Sequence, residues 1–420
     1  MFLGLTLADP GTVVPVLLRE LRASNTVIGL LPSIRFGGWL LPQLFAAGYL
    51  QSKERKVPYV VALDLARAGA YVVIALLLLS YRSLPAFFLT FAFLAIFGLT
   101  RITAGSAMVG RFDVVGKVVP RERMSAFFAT RGIWTGLSGL AAGVLISAVL
   151  GAGIGFPRNY ALLFLTSTAV FTAGALAFAL IGEPPGAPDA IARSPLAQLA
   201  RVRSTVANDW VYRRYLSYRL LLELMSVAVP FYIVYATDRW EVPVAMTGTY
   251  VAAGTAASLA ANFMWRRRAH RRGSVSVLSA SVLLSALVPV IPLTLVLART
   301  LGMQWVSGWV PSAAFLLLYV VHGAGNSGRE ICSNAVLINL APAEERASYI
   351  GLTNTVVGVI TLASVLAGQL IDRYGYELLF ALTLGFSLVT WRLARSVVEP
   401  EAEEAVDQEQ TPGGQCSAPR

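Results

Sequence analysis

The sequence predicts an all-α polytopic membrane protein, with 12 transmembrane helices in two pseudo-symmetric six-helix bundles. Three observations predict it. The 420 residues are 56% hydrophobic and only 14% charged, apolar segments of crossing length recur down the chain, and breaker and charge motifs repeat in its two halves. A soluble fold of this composition would expose large apolar patches, so most of the surface must face lipid. One crossing with its loop takes roughly 35 residues, since each helix needs about 20 apolar ones, and this length holds about twelve.

The predicted spans in the first half are 1 to 20, 26 to 50, 58 to 80, 85 to 110, 124 to 150 and 159 to 181. In the second half they are 214 to 236, 243 to 265, 274 to 298, 309 to 338, 348 to 371 and 376 to 398. The chain therefore divides into an N-terminal bundle (1–181), a linker (182–213), a C-terminal bundle (214–398) and a tail (399–420). The linker opens on Pro184-Pro185-Gly186, breaker chemistry that ends a helix, and a surface helix is expected around Leu196 to Val206. The tail is acidic and polar, and is expected to be disordered. No cleavable signal peptide is visible. Phe2-Leu3-Gly4-Leu5 already lies inside the first crossing, so helix 1 is expected to be truncated, with a start upstream of Met1.

Net charge is +11, from 34 basic and 23 acidic residues. The basic residues sit in short loops between apolar segments, which makes them topology signals rather than a nucleic-acid footprint. Lys53, Arg55 and Lys56, then Arg111, Lys117, Arg121 and Arg123, then Arg193, Arg201 and Arg203, then Arg266, Arg267, Arg268, Arg271 and Arg272 fall on alternate loops. The intervening loops carry isolated charges such as Arg82, Arg158, Asp238, Arg239 and Arg299. The positive-inside rule then puts both termini and the linker in the cytoplasm of a bacterial-type inner membrane. The run from Arg266 to Arg272 reads as a topology anchor that also suits anionic lipid. Of the two cysteines, Cys332 lies in an apolar segment and Cys416 in the tail, so no disulfide framework is indicated.

The halves resemble each other in parallel order. Helix 1 reads Asp9-Pro10-Gly11-Thr12-Val13-Val14-Pro15 and helix 7 reads Glu223-Leu224-Met225-Ser226-Val227-Ala228-Val229-Pro230, each an acid six or seven residues before the proline of a Val-Pro pair. Pro120-Arg121-Glu122-Arg123-Met124-Ser125 precedes helix 5, and Pro342-Ala343-Glu344-Glu345-Arg346-Ala347-Ser348 precedes helix 11. Aligning Ser125 with Ser348 brings Thr130 onto Thr353. Internal repeats of this kind build most transporter folds.

Three motifs extend the likeness. Gly48-Tyr49-Leu50-Gln51-Ser52-Lys53-Glu54-Arg55-Lys56 lies between helices 2 and 3, Arg101-Ile102-Thr103-Ala104-Gly105 in helix 4, and Gly368-Gln369-Leu370-Ile371-Asp372-Arg373-Tyr374-Gly375-Tyr376 ahead of helix 12. On these residues nearly the whole chain resembles the major facilitator superfamily. The resemblance implies a gating role for Gly48, Lys53, Arg55 and Lys56, although Ser52 stands where the family carries an acid and Glu54 where it carries a second glycine. It also links the Arg101 motif to proton transfer. Helix 5 has Gly132, Gly136, Gly139 and Gly143 but no Gly-Pro pair, a departure from the drug-antiporter branch.

Buried ionisable residues are the natural functional candidates, because a charge at the bilayer centre costs about 2.5 to 3.5 kcal/mol. At about 1.5 Å per residue, Asp9 lies roughly 18 Å below Leu21 and Arg35 roughly 14 Å below Thr26, which puts both near the midplane. An Asp9 to Arg35 ion pair facing a central cavity is therefore expected, with Pro10 and Gly11 loosening helix 1. Arg101 and Arg131 occupy the inner halves of helices 4 and 5, where the alternatives are snorkelling and a role in lowering a carboxylate pKa. Glu223 and His322 are candidates for a proton relay in the second half. Arg329 with Glu330, and Asp64 with Arg67, read as local pairs. The arginines at depth (Arg35, Arg67, Arg101, Arg131, Arg329) also suit an anionic solute. Glycines in helices 5 and 10 permit close helix approach.

No ATP-binding glycine loop, His-x-x-x-His pair or cysteine pair is present, so no cofactor or metal is expected and energy must come from an ion gradient. These readings converge on a secondary active transporter. It is expected to move a small-molecule substrate across the bilayer by alternating access, coupled to protons, without nucleic acid as a partner and without enzymatic activity. The alternatives are a non-transporting receptor or scaffold with this fold, and a membrane-embedded lipid-modifying enzyme, which would need clustered acid, base or nucleophile at one interface.

Overall fold

A computed structural model of the chain describes residues 1–51, 53–185, 209–304, 306–340 and 346–395. Ser52, the 186–208 stretch where a surface helix is expected, residues 341–345 and the acidic tail lie outside the described residues. The described chain is helical, with no strand. In order the helices are α1 (Phe2–Leu7), α2 (Val13–Glu20), α3 (Asn25–Ile28), α4 (Leu30–Gln51), α5 (Val57–Leu79), α6 (Ala86–Val118), α7 (Met124–Gly151), α8 (Arg158–Ala179), α9 (Trp210–Ser226), α10 (Val229–Trp240), α11 (Met246–Thr300), α12 (Val310–Leu340), α13 (Arg346–Ile360), α14 (Ser364–Tyr374) and α15 (Tyr376–Ala394).

Eight helical segments among the described residues are long and apolar enough to cross a membrane. One of them, α11, spans 55 residues and contains a bend at Gly273, whose φ of 74° a residue with a side chain rarely adopts. The five arginines from Arg266 to Arg272 precede that bend, so α11 is a hairpin of two crossings. With α1 and α2 as one broken pass, and α4 and α12 as two more, the arrangement is consistent with the twelve crossings expected. Phe45, Phe87, Leu180, Phe263 and Trp309 stand exposed on the outside of the bundle, where lipid takes the place of water.

The two pseudo-equivalent helices are broken at equivalent places. Pro10 lacks a backbone N–H, and α1 stops at Leu7 so that α2 restarts at Val13, just ahead of Val14-Pro15. Likewise α9 stops at Ser226 and α10 restarts at Val229, with Pro230 in its first turn, where a missing N–H costs nothing. Helix α13 gives way to α14 through a tight turn at Thr361–Ala363.

Within the first half, α5 packs on α6 and α8, and α4 on α6. Gly105 makes the last contact possible, since a Cβ there would lie 2.2 Å from the backbone oxygen of Trp39. In the second half α9 packs on α15 and the two arms of α11 on α12. The halves meet through α7 against α11, α4 against α13, α3 against α14 and α2 against α10.

Candidate functional site

The α7–α11 contact is a glycine ladder that opens along its length. A Cβ on Gly143 would lie 2.7 Å from backbone atoms of Gly248 and Ala252; one on Gly139 or Gly136 would meet only the side chains of Thr255 or Leu259; one on Gly132 would meet nothing within 4 Å. The helices therefore touch backbone to backbone near Gly143 and diverge toward the arginine-rich end. The space between them is a cavity of about 590 Å³ whose wall comes from α1, α4 and α7 in the first half and α10, α11 and α12 in the second.

Four of the six side chains singled out as substrate or proton candidates line this cavity: Asp9, Arg35, Arg131 and His322. The expected Asp9 to Arg35 ion pair is not formed. Asp9 Oδ2 instead accepts the Gly11 N–H at 2.9 Å and the Thr12 hydroxyl at 3.0 Å. These donors are orphaned by the helix break and lie closer than a side chain on α4, so the carboxylate caps the restart of its own helix. Arg35 rests at 5.3 Å over the ring of Phe36. Arg131 lies 5.3 Å from the Phe2 ring and 5.9 Å from the Phe128 ring. His322 lines the cavity and a small adjoining recess shared with Arg329, Tyr232 and Ser285. Across from the arginines, Tyr250 and Tyr319 stack at 5.2 Å, and the buried Tyr319 hydroxyl has no hydrogen-bond partner among the described residues.

Arg101 and Glu223 lie outside the cavity wall. Arg101 is buried, donates to the Tyr71 hydroxyl at 2.8 Å and covers the Phe97 ring at 4.5 Å, so it joins α6 to α5. Glu223 is held one turn away by Arg219 on its own helix at 3.3 Å. The expected Arg329–Glu330 pair is also absent. Consecutive residues on a helix do not face each other; Glu330 is exposed, while Arg329 is buried and donates to Ser285 Oγ and Asn326 Oδ1. Asp64 and Arg67 do pair, at 2.7 Å and fully buried, and Asp64 also takes Arg111.

The narrow end is shut by a polar cluster that crosses between the halves. Arg19 pairs with Asp238 at 2.8 Å and donates to Asn25 Oδ1 at 2.6 Å and the Tyr376 hydroxyl at 2.7 Å. Asp372 accepts four bonds: from Asn25 N at 3.2 Å, Asn25 Nδ2 at 2.8 Å, Thr26 N at 2.9 Å and Thr26 Oγ1 at 2.7 Å. A Cβ on Gly368 would sit 2.2 Å from the Asn25 carbonyl oxygen, so the chains meet without a side chain between them. Ser364 Oγ adds a 2.6 Å bond to the Gly29 carbonyl. In sequence, Gly368, Asp372 and Tyr376 stand in the motif ahead of helix 12 and Asp238 as an isolated charge, but their meeting with Arg19 and Asn25 is not visible there.

At the wide end, Gly48 lies in the last turn of α4, Lys53 covers the Tyr49 ring at 5.0 Å, and Arg55 is exposed. Lys56 is buried and pairs with Asp113 at 3.0 Å. The acid that serves this loop is Glu183, the residue before Pro184-Pro185. It accepts the N–H groups of Lys56 and Val57 at 2.6 and 2.8 Å and pairs with Lys117 at 2.9 Å. Burial opposes its ionisation, but the Val57 N–H, the Lys117 ammonium and the Lys56 N–H outweigh that and hold the carboxyl below its ordinary value.

The family model of the Major Facilitator Superfamily matches residues 221–415. Solved structures match the chain over nearly its full length. The nucleoside transporter NupG is 13% identical with a TM-score of 0.70, over 94% of this chain and 97% of that one. A D-xylose-proton symporter is 13% identical at 0.67, over 94% and 96%. A bacterial homologue of the iron transporter ferroportin, in an inward-facing state, is 16% identical at 0.64, over 94% and 97%. No curated protein matches the sequence. The fold is one that these solved membrane transporters share, with the cavity between its two halves. The second half of the chain thus resembles the Major Facilitator Superfamily in sequence, and nearly the whole chain shares the fold of these solved transporters.

Proposed function

We propose that this protein is a secondary active transporter that moves a small solute across the inner membrane by alternating access, coupled to protons. The observation that carries the reading is the asymmetry of the inter-half contact. Polar residues of both halves seal one end of the central cavity, and the glycine ladder diverges toward the other. A site reached from one side at a time is what alternating access requires. Residues 1–181 and 214–398 are the bodies that rock, and 182–213 tethers them. The wide end carries the basic loops, so both termini and the opening face the cytoplasm. His322 and Asp9 in the cavity wall are the titratable groups that support proton coupling.

Purified protein in liposomes, given candidate solutes under an imposed pH gradient, tests the proposal. Saturable uptake that rises with the gradient is expected. Saturable binding with no flux under any gradient would overturn the transporter reading in favour of a receptor, and flux indifferent to pH would remove the proton.

A further inference from the structure

The chain pairs its structural arginines and leaves those of the cavity open. Arg67 and Arg111 share Asp64, and Arg19 holds Asp238. By contrast, the side chains of Arg35 and Arg131 rest against aromatic rings and make no hydrogen bond or ion pair among the described residues. Asp9 is the one carboxylate in the cavity wall among the described residues, and its Oδ2 is already engaged by Gly11 and Thr12. Behind His322, Arg329 is only 4% exposed and has oxygens of Ser285 and Asn326 as partners; among the described residues no carboxylate lies within 4 Å of it, and Glu223 acts on it from farther away. Two accessible guanidinium groups and a third buried behind the wall therefore outnumber the acids near them, which are the capped Asp9 and Glu223, the latter already paired with Arg219. A surplus of positive charge in a low-dielectric cavity is costly unless an anion enters it. The guanidinium fork matches the planar oxygens of a carboxylate or the face of a phosphate.

We propose that the cavity binds a small organic anion, its carboxylate or phosphate held by Arg35 and Arg131 of the first half and its body resting on Tyr250, Tyr319 and His322 of the second. The anion bridges the halves and supplies the charge the cavity lacks. This inference rests on the transporter reading for its site, and on the unpaired arginines for its chemistry.

Matched solute pairs that differ in one charged group test it on the purified full-length protein: benzoate with benzamide, glucose 6-phosphate with glucose, and uridine monophosphate with uridine. Binding is read from thermal stabilisation, and flux from liposomes. The anionic member of at least one pair should bind saturably, at least tenfold tighter than its neutral partner. Arg35→Gln and Arg131→Gln should each weaken that binding by about 10- to 100-fold, the range for losing a hydrogen bond to a charged group. Arg35→Lys and Arg131→Lys keep the charge but lose the fork, and should weaken it less. The melting temperature of each unliganded variant reports its fold, and the lysine variants decide the matter if the glutamine variants do not fold.

Neutral partners that bind as tightly as the anions, no binding by any anion, or anion affinity unchanged in the glutamine variants would each overturn the proposal. Flux of a neutral solute with no anion binding overturns the anion and leaves the transporter standing. Anion binding without flux does the reverse.

Discussion

Asp372→Ala should tip the protein toward a state open at the gate. The carboxylate takes four hydrogen bonds from Asn25 and Thr26 of the opposite half, all at an exposed or half-buried edge. At the low end of the net range, about 0.5 kcal/mol per bond, the four are worth about 2 kcal/mol, and these contacts exist only while the gate is shut. Their loss should shift the gate-shut to gate-open ratio by about thirtyfold. A cysteine placed at Val251 in the cavity wall reports the shift. With a membrane-impermeant maleimide added from the gate side, its modification should accelerate by up to that factor in the Asp372→Ala background, while the melting temperature falls only slightly. A modification rate within twofold of the parent, in protein of normal stability, would refute the reasoning that this carboxylate latches the halves.

Gly143→Leu pushes a side chain into backbone atoms of Gly248 and Ala252, and should increase the same maleimide reactivity without touching any polar gate residue. Asp64→Asn leaves Arg67, which is 2% exposed, without its carboxylate, and should cost about 3 kcal/mol or more, seen as lost monodisperse protein on size-exclusion chromatography. Glu183→Gln removes a carboxyl whose ionised form the fold favours. Because its native value is lowered, that stabilisation is complete above the ordinary carboxylate range and is lost as pH falls through the lowered native value. The melting temperature of the parent should therefore fall further on acidification than that of the variant, and parallel curves would remove Glu183 from the pH response.

What the sequence showed and what it hid follow from range. The broken first helix was legible because Pro10 and Gly11 break a helix wherever they stand, and the Asp64–Arg67 pair because three residues along a helix bring side chains together whatever surrounds them. Counting depth put Asp9 and Arg35 near the midplane, and both line one cavity with Arg131 and His322. Depth carries no information about azimuth or local competition. It therefore missed that Asp9 would turn to its own backbone, that Arg101 and Glu223 would lie off the cavity, and that Arg329 and Glu330 would point apart. The gate was hidden for a different reason. Arg19 and Asp238 are isolated charges at helix ends and Asp372 belongs to the motif ahead of helix 12, and only the packing of two halves distant in sequence makes them one cluster. Glu183 was hidden by position, since it reads as part of the start of a linker while it acts as the cap of α5.

If the halves rock as proposed, the glycine ladder makes the protein a lever whose arm can be read from the helix. The fulcrum would be the backbone contact at Gly143, and Arg131 sits twelve residues away along the same helix, about 18 Å at the usual rise. Each degree of rotation about that fulcrum carries the Arg131 backbone by about 0.3 Å across the cavity, by the same geometry. A few degrees suffice to bring a guanidinium from out of reach of a bound solute into hydrogen-bonding distance. Closure of the wide end and capture of the head group are then a single movement, and a residue larger than glycine at Gly143 lengthens the stroke needed to complete it.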